Sequence, residues 1–134
     1  MDRASERGAV AVEFALLAPV LIMILLGIME FGRAYNAQLT LTNAAREGVR
    51  VMAIDDDAAT ALAATTNSAD TLTPAVRGTD VVIAFQTIPP TTPAPTSCAP
   101  GRQVTVTITY SLSTMTGIAG PFTMTGKGTM LCGG

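Results

Sequence analysis

Residues 7–29 read RGAVAVEFALLAPVLIMILLGIM, and the reading of this stretch decides the architecture. From Ala9 to Met29 there are 21 residues and a single charge, Glu13. As a helix rising about 1.5 Å per residue, the segment is long enough to cross a hydrocarbon core of about 30 Å. The expectation is a membrane-spanning helix over residues 9–29, preceded by a short polar leader, residues 1–8.

Glu13 is the informative residue. A carboxylate inside an apolar span costs about 2.5 to 3.5 kcal/mol at mid-bilayer and less near an edge, so it marks a function or a partner. Glu13 lies near the N-terminal edge, which leaves two readings. In one it merely snorkels to the headgroups. In the other it waits for a cation: cleavage after Gly8 would place the new α-amine of Ala9 within about one helical turn of Glu13. A neighbouring subunit's Glu13 would then neutralise that amine, because buried charges need pairing.

The flanks refine this picture. The leader carries Arg3 and Arg7, offset by Asp2 and Glu6, and Arg33, Arg46 and Arg50 follow the span, so the distribution of cations decides little about orientation. A secretory signal peptide is a poor description. The apolar run exceeds the usual length of about 7 to 15 residues, Glu13 interrupts it, and no clean small-x-small cleavage site follows Met29. Pro19 removes one backbone hydrogen bond and is expected to bend or loosen the helix. Gly27 and Gly32 allow either close helix packing or simple flexibility.

Beyond Met29 the pattern becomes one-sided. At 100° per residue, Phe31, Ala34, Leu41, Ala45, Val49 and Met52 share one face, with Arg33, Asn36, Asn43, Arg46, Glu47 and Arg50 opposite. The helix is predicted to run on over residues 30–54, with its apolar stripe turned to a small domain over residues 55–134. Arg46 and Arg50, with Glu47 beside them, read as a solvated face. Asp55, Asp56 and Asp57 end this helix and suit the cap of a following one, over Ala58 to Ala64 and fading by Asn67 and Ser68. They lack the alternating ligand spacing and loop glycine of an EF-hand, so calcium is the weaker reading.

Three strands follow. Residues 80–88 form a short β-branched run that ends at Pro89 and Pro90. Residues 89–100 hold five prolines and four Thr or Ser, and read as an extended connector. Residues 104–112 alternate strictly, with Val104, Val106, Ile108, Tyr110 and Leu112 on one face and hydroxyls on the other. Beyond a turn around residues 117–121, Phe122, Met124, Met130 and Cys132 share a parity, in a strand loosened by Gly126 and Gly128. The predicted fold class is therefore α+β: a long N-terminal helix packed on a small antiparallel sheet with a wet, Thr-rich outer face. Cys98 precedes the central strand and Cys132 ends the last, so antiparallel pairing brings them together. One disulfide is expected, with two reduced buried cysteines as the alternative. A disulfide needs an oxidising compartment, which places the head outside the cytoplasm and the N-terminus inside.

Composition removes several classes of function. The chain has 134 residues, 49% of them apolar, a formal charge of −2 and no histidine. A pI near 4.9 leaves no basic surface for nucleic acid. With no His and only two Cys, neither a His-dependent nucleophile nor a four-ligand Cys/His metal site can be assembled. The carboxylates fall in no recognisable acid/base constellation, so neither an enzyme nor a small-molecule substrate is expected, and no cofactor.

Gly8, the four apolar residues after it, Glu13 and Phe14 resemble the processing site of Flp-type prepilins and of TadE-like pseudopilins of the Tad (tight adherence) pilus system. The run Gly27-Ile28-Met29-Glu30-Phe31-Gly32-Arg33-Ala34-Tyr35, followed by Leu41-Thr42-Asn43-Ala44-Ala45-Arg46-Glu47-Gly48, resembles the TadE-like family over about residues 8 to 50. The resemblance implies a type IV pilin-like protein that a prepilin peptidase cuts between Gly8 and Ala9. It implies assembly, with Glu13 as the assembly charge, alongside other Tad/Flp pilins and pilus-assembly proteins in the lipid membrane, in adherence or secretion. Major Flp pilins are far shorter and lack a head, which points to a minor pseudopilin. The alternative is a plain bitopic membrane protein with an extracytoplasmic binding domain, unprocessed.

Overall fold

The computed structural model describes residues 3–117 and 120–133, with side chains described from Gly8 onward. Helix α1 runs Arg3–Asp55 and α2 Ala58–Ser68; a 3-10 turn at Gly78–Asp80 leads into strands β1 Val81–Thr87, β2 Arg102–Leu112 and β3 Phe122–Leu131. The sheet is antiparallel in the order β1-β2-β3. The α+β class expected from the sequence is the class observed. The chain divides into two compact units, one ending at Arg33 and the other Ala34–Gly134.

In the second unit, the alternation of β2 sets the core. Val104, Val106, Ile108, Tyr110 and Leu112 are all buried. Ile108 stands between Val81 and Gly126, and Val106 between Ile83 and Gly128. Against this face α1 presents Ala37, Leu41, Ala44, Ala45, Val49, Met52 and Ala53, all buried. Leu41 and Ile108 are fully enclosed, and each large aliphatic side chain so buried contributes about 1.5–3 kcal/mol. The helical periodicity thus located the stripe correctly from Leu41 onward, with one error at its start. Phe31 is 74% exposed, and the buried stripe begins at Ala37, with Ala34 partly covered. An angular pattern tells which side of a helix is apolar but not where the packed partner ends.

The glycines of β3 require a second correction. They face inward, at buried positions, and do not loosen the strand. A Cβ on Gly128 would stand 2.6 Å from the carbonyl oxygen of Ala45, and one on Gly126 would stand 2.6 Å from the carbonyl carbon of Leu41. Both positions are empty because the α1 backbone lies directly on them. The apolar residues of β3 sit toward its ends, where Phe122 and Met130 are 42% and 40% exposed and Met124 is partly buried. Gln38 donates its Nε2 hydrogen to the Thr125 carbonyl at 2.9 Å, a further tie between helix and strand.

On another side of α1, Gly48 is buried against α2, where a Cβ would run into the Thr65 side chain. Thr65 is the buried polar residue here, and its hydroxyl is satisfied by donating to the Ala61 carbonyl at 2.7 Å. Helix α2 ends at Ser68, at the expected fade, and Leu72 and Val76 in the following irregular segment are buried. The sequence carried no periodic signal for those two residues.

The packing generates a test. On strand propensity alone Gly128→Ala should stabilise β3, since glycine weakens strands. The close helix reverses the sign: the variant is expected to lose about 1–3 kcal/mol of stability, as overpacked cores do. Lys127→Ala, on the wet face, should change it by less than about 0.5 kcal/mol. Denaturant unfolding of the full chain in detergent checks both values.

Candidate processing and assembly site

In the first unit, α1 continues through the whole apolar segment, including Pro19. The helix is long and apolar enough to cross a membrane, and its most apolar window is not buried at all. Phe14, Leu16, Ile22, Ile24 and Ile28 are each more than half exposed. An apolar surface of that size exceeds what a soluble protein leaves uncovered. It fits a single-pass membrane protein, in which lipid or neighbouring helices supply the missing contact.

Gly8, Ala9 and Glu13 all lie on this helix and all are exposed. Ala9 and Glu13 are four residues apart, hence on one face and about 6 Å apart along the axis. The same spacing rule puts Val10, Leu16 and Leu17 around the carboxylate, so its near neighbours along the helix are apolar. Residues 9–29 contain no basic residue. A Cβ added to Gly8, Gly27 or Gly32 would meet nothing within 4 Å. Whatever makes glycine useful at these positions does not come from contacts among the described residues.

The second unit carries the expected disulfide. Cys98 and Cys132 are joined at an S–S distance of 2.00 Å, with Cα atoms 5.2 Å apart. Their approach follows from the β2–β3 pairing, which also lets Cys132 donate its N–H to the Arg102 carbonyl at 2.9 Å. The sequence did not reveal the part of Asp56 in this geometry. Asp56 ends α1 in the left-handed region, with φ 49, and its Oδ1 accepts the Cys98 N–H at 2.7 Å. Aspartate is among the few residues that tolerate that conformation. Asp57 caps α2 as expected, accepting from the amides of Ala59 and Thr60, each at 3.2 Å, and from the Thr60 hydroxyl. The Thr60 hydroxyl and then these two amides hold the Asp57 carboxyl below the usual carboxylate range.

Along the outer face of α1, Glu47 pairs with Arg50 through two hydrogen bonds, at 2.7 and 3.0 Å. That side-chain bond lowers the Glu47 pKa, and the pair is a solvated one as expected. Elsewhere an open cleft of about 340 Å³ is lined by Pro74, Arg77, Asp80, Thr109 and Ser111 among others. The Asp80 carboxylate there accepts the Arg77 backbone N–H at 2.8 Å, a turn-closing role.

The model of the family described as TadE-like protein matches residues 8–50, the stretch on which the sequence resemblance rests. The match begins at Gly8, runs through Glu13, and ends near the close of α1. No curated protein and no solved structure matches the chain.

The disulfide supports a further test. Joining residues 34 positions apart should stabilise the second unit by about 3–4 kcal/mol on the chain-entropy model. Cys98→Ser with Cys132→Ser is expected to lower the denaturant midpoint accordingly. In envelope-derived protein, thiol-reactive probe should attach only after reduction; free labelling of both thiols before reduction would overturn the pairing.

Proposed function

We propose, from the match of residues 8–50 to TadE-like proteins, that this chain is a minor pilin-like subunit of a Tad/Flp-type pilus. It has a structural role in pilus assembly, adherence or secretion. In this reading a prepilin peptidase cuts between Gly8 and Ala9 on the cytoplasmic side. Residues 9–29 hold the subunit in the cytoplasmic membrane, and residues 55–134 lie outside the cytoplasm, where the Cys98–Cys132 bond is stable. The observation that carries the reading is the uncovered apolar stretch of residues 9–29, whose one charge, Glu13, stands a single turn from Ala9.

The chemistry of assembly follows from charge pairing. Cleavage replaces a peptide bond at Ala9 with an α-amine, a cation where the helix begins. A free cation in an apolar bundle is costly, and a carboxylate from an adjacent subunit offsets that cost. Glu13 supplies the carboxylate at a depth set by four helical residues. The partners are the prepilin peptidase, other Tad/Flp pilins, pilus-assembly membrane proteins and the lipid itself.

Cleavage is tested by N-terminal sequencing of envelope-extracted protein, which should begin at Ala9. Gly8→Leu should leave the precursor intact, because a peptidase of this kind needs a small residue at the cut. A wild-type N-terminus at Met1, or one beyond Met29, would sink the assignment. The assembly charge is tested separately with Glu13→Gln, which keeps the shape and removes the charge. Membrane insertion and leader cleavage are expected to persist while pilus assembly falls by at least tenfold, since an uncompensated buried charge costs several kcal/mol. Full assembly by the Gln variant would favour a snorkelling carboxylate in an unprocessed bitopic protein.

A further inference from the structure

The direction of β3 fixes which end of the sheet lies nearest the start of the second unit. Gly126 lies against Leu41 and Gly128 against Ala45, so β3 runs in the same sense as α1. Thr123 stands three strand residues before Gly126, about 10 Å back along β3, which puts it level with Ala34. Ala34 opens this unit and follows Met29, the last residue of the apolar stretch, by five residues, about 8 Å along α1. The headgroup layer outside a hydrocarbon core is about 5–8 Å deep. With residues 9–29 in the membrane, the Thr123 end of the second unit therefore stands at the bilayer surface.

The side chains at that end suit such a surface. Tyr35 on α1, Met115 beyond β2 and Phe122 at the start of β3 are all exposed there. An amphipathic tyrosine beside apolar side chains is the composition of an interfacial anchor. Ile54, Ile88 and Leu131 are exposed at the opposite end, but Ile54 lies 20 helical residues beyond Ala34, about 30 Å along α1 and out of reach of lipid. The membrane-side end also holds the open cleft of about 340 Å³. Three exposed hydroxyl residues line it: Ser111 and Thr123 are cross-strand partners, and Thr109 is two residues along β2. Arg77 and Asp80, on either side of the 3-10 turn, bring opposite charges to the same cleft. The Arg77 guanidinium meets no carboxylate among the described residues, and Asp80 commits one oxygen to the Arg77 N–H and keeps the other.

A guanidinium only donates hydrogen bonds and a carboxylate only accepts them, so a ligand that satisfies both carries an anion and an N–H cation close together. Phosphate matches the planar fork of arginine, and a primary ammonium matches a carboxylate oxygen with hydroxyls beside it. We infer that this cleft takes the phosphoethanolamine headgroup of a bilayer phospholipid, with the phosphate on Arg77 and the ammonium on Asp80. Phosphatidylglycerol lacks the cation, and the quaternary ammonium of phosphatidylcholine has no N–H to donate. The contact would hold the second unit against the membrane surface beside its own span. The inference rests on the proposed function for one thing, the placement of residues 9–29 in the membrane.

The test is amide hydrogen exchange on the full chain reconstituted into vesicles of phosphatidylcholine alone, or of phosphatidylcholine mixed with phosphatidylethanolamine or with phosphatidylglycerol. Residues 74–80 and 109–112 are expected to exchange about tenfold more slowly with phosphatidylethanolamine than in phosphatidylcholine alone, as for a ligand at about ten times its Kd. Asp80→Asn keeps an acceptor for the Arg77 amide, and Arg77→Gln keeps a polar side chain. Each should abolish the difference while the Cys98–Cys132 bond still forms, which shows the fold intact. Equal exchange in all three lipids, with residues 9–29 protected, overturns the inference and leaves the pilus-subunit reading standing. A difference that survives both substitutions overturns it too, as does slowing by phosphatidylglycerol that persists in Asp80→Asn, because the ligand is then any anion. Rapid exchange of residues 9–29 in every vesicle overturns both, because the membrane placement is lost.

Discussion

The second unit depends on a close approach between a helix backbone and a strand backbone. Gly126 and Gly128 are buried on β3 where α1 passes at Leu41 and Ala45, with no room for a Cβ. On the helix side the contact is made by the backbone at Leu41 and Ala45, with Gly48 taking α2 instead. The missing side chains of the two strand glycines let the elements sink together. The larger side chains, Leu41 and Met52 from α1 with Val104 and Ile108 from β2, then close around the seam. A core this small depends on such packing, because few large residues are available to it.

A second set of links converges where α1 ends. Asp56 turns the chain in the left-handed conformation and holds the Cys98 amide; Cys98 is bonded to Cys132; and Gly133 donates its N–H to the Ala53 carbonyl at 3.4 Å. The end of the helix, the connector before β2 and the residues after β3 thus meet at one place. The entropy lost in closing these long loops is offset by a covalent bond, a capping residue and a few backbone hydrogen bonds. Of the three consecutive aspartates, Asp56 therefore acts as the turn and Asp57 as the cap.

The unit ending at Arg33 has the opposite character. Its large apolar side chains stay exposed, its glycines look onto open space, and Glu13, the one charge of residues 9–29, has apolar neighbours. A surface of this kind is incomplete within one chain. Lipid covers the apolar groups without cost, whereas a carboxylate among them needs a cation from elsewhere. The family match covers this unit from Gly8 onward and most of the packed part of the helix, residues 8–50, and leaves the sheet outside it.

The sequence by itself determined the elements whose signals are local and repeated: the helix by its all-round apolar run and then its 3.6-residue stripe, β2 by strict alternation, α2 by its capping aspartate. It also brought Cys98 to Cys132, because strand parity and direction are properties of the chain read in order. What only the tertiary structure decided concerns partners distant along the chain. A glycine in a strand has the same local signature whether it weakens the strand or admits a helix, and only the position of Leu41 and Ala45 distinguishes the two. Phe31 has the right phase for the stripe but stands before the first buried position. Leu72 and Val76 reach the core from a segment without periodicity, and Asp56 acquires its role from a cysteine 42 residues away. Periodicity reports which face of an element is apolar; which residues that face meets, and how closely, is set by the packing of elements remote in sequence.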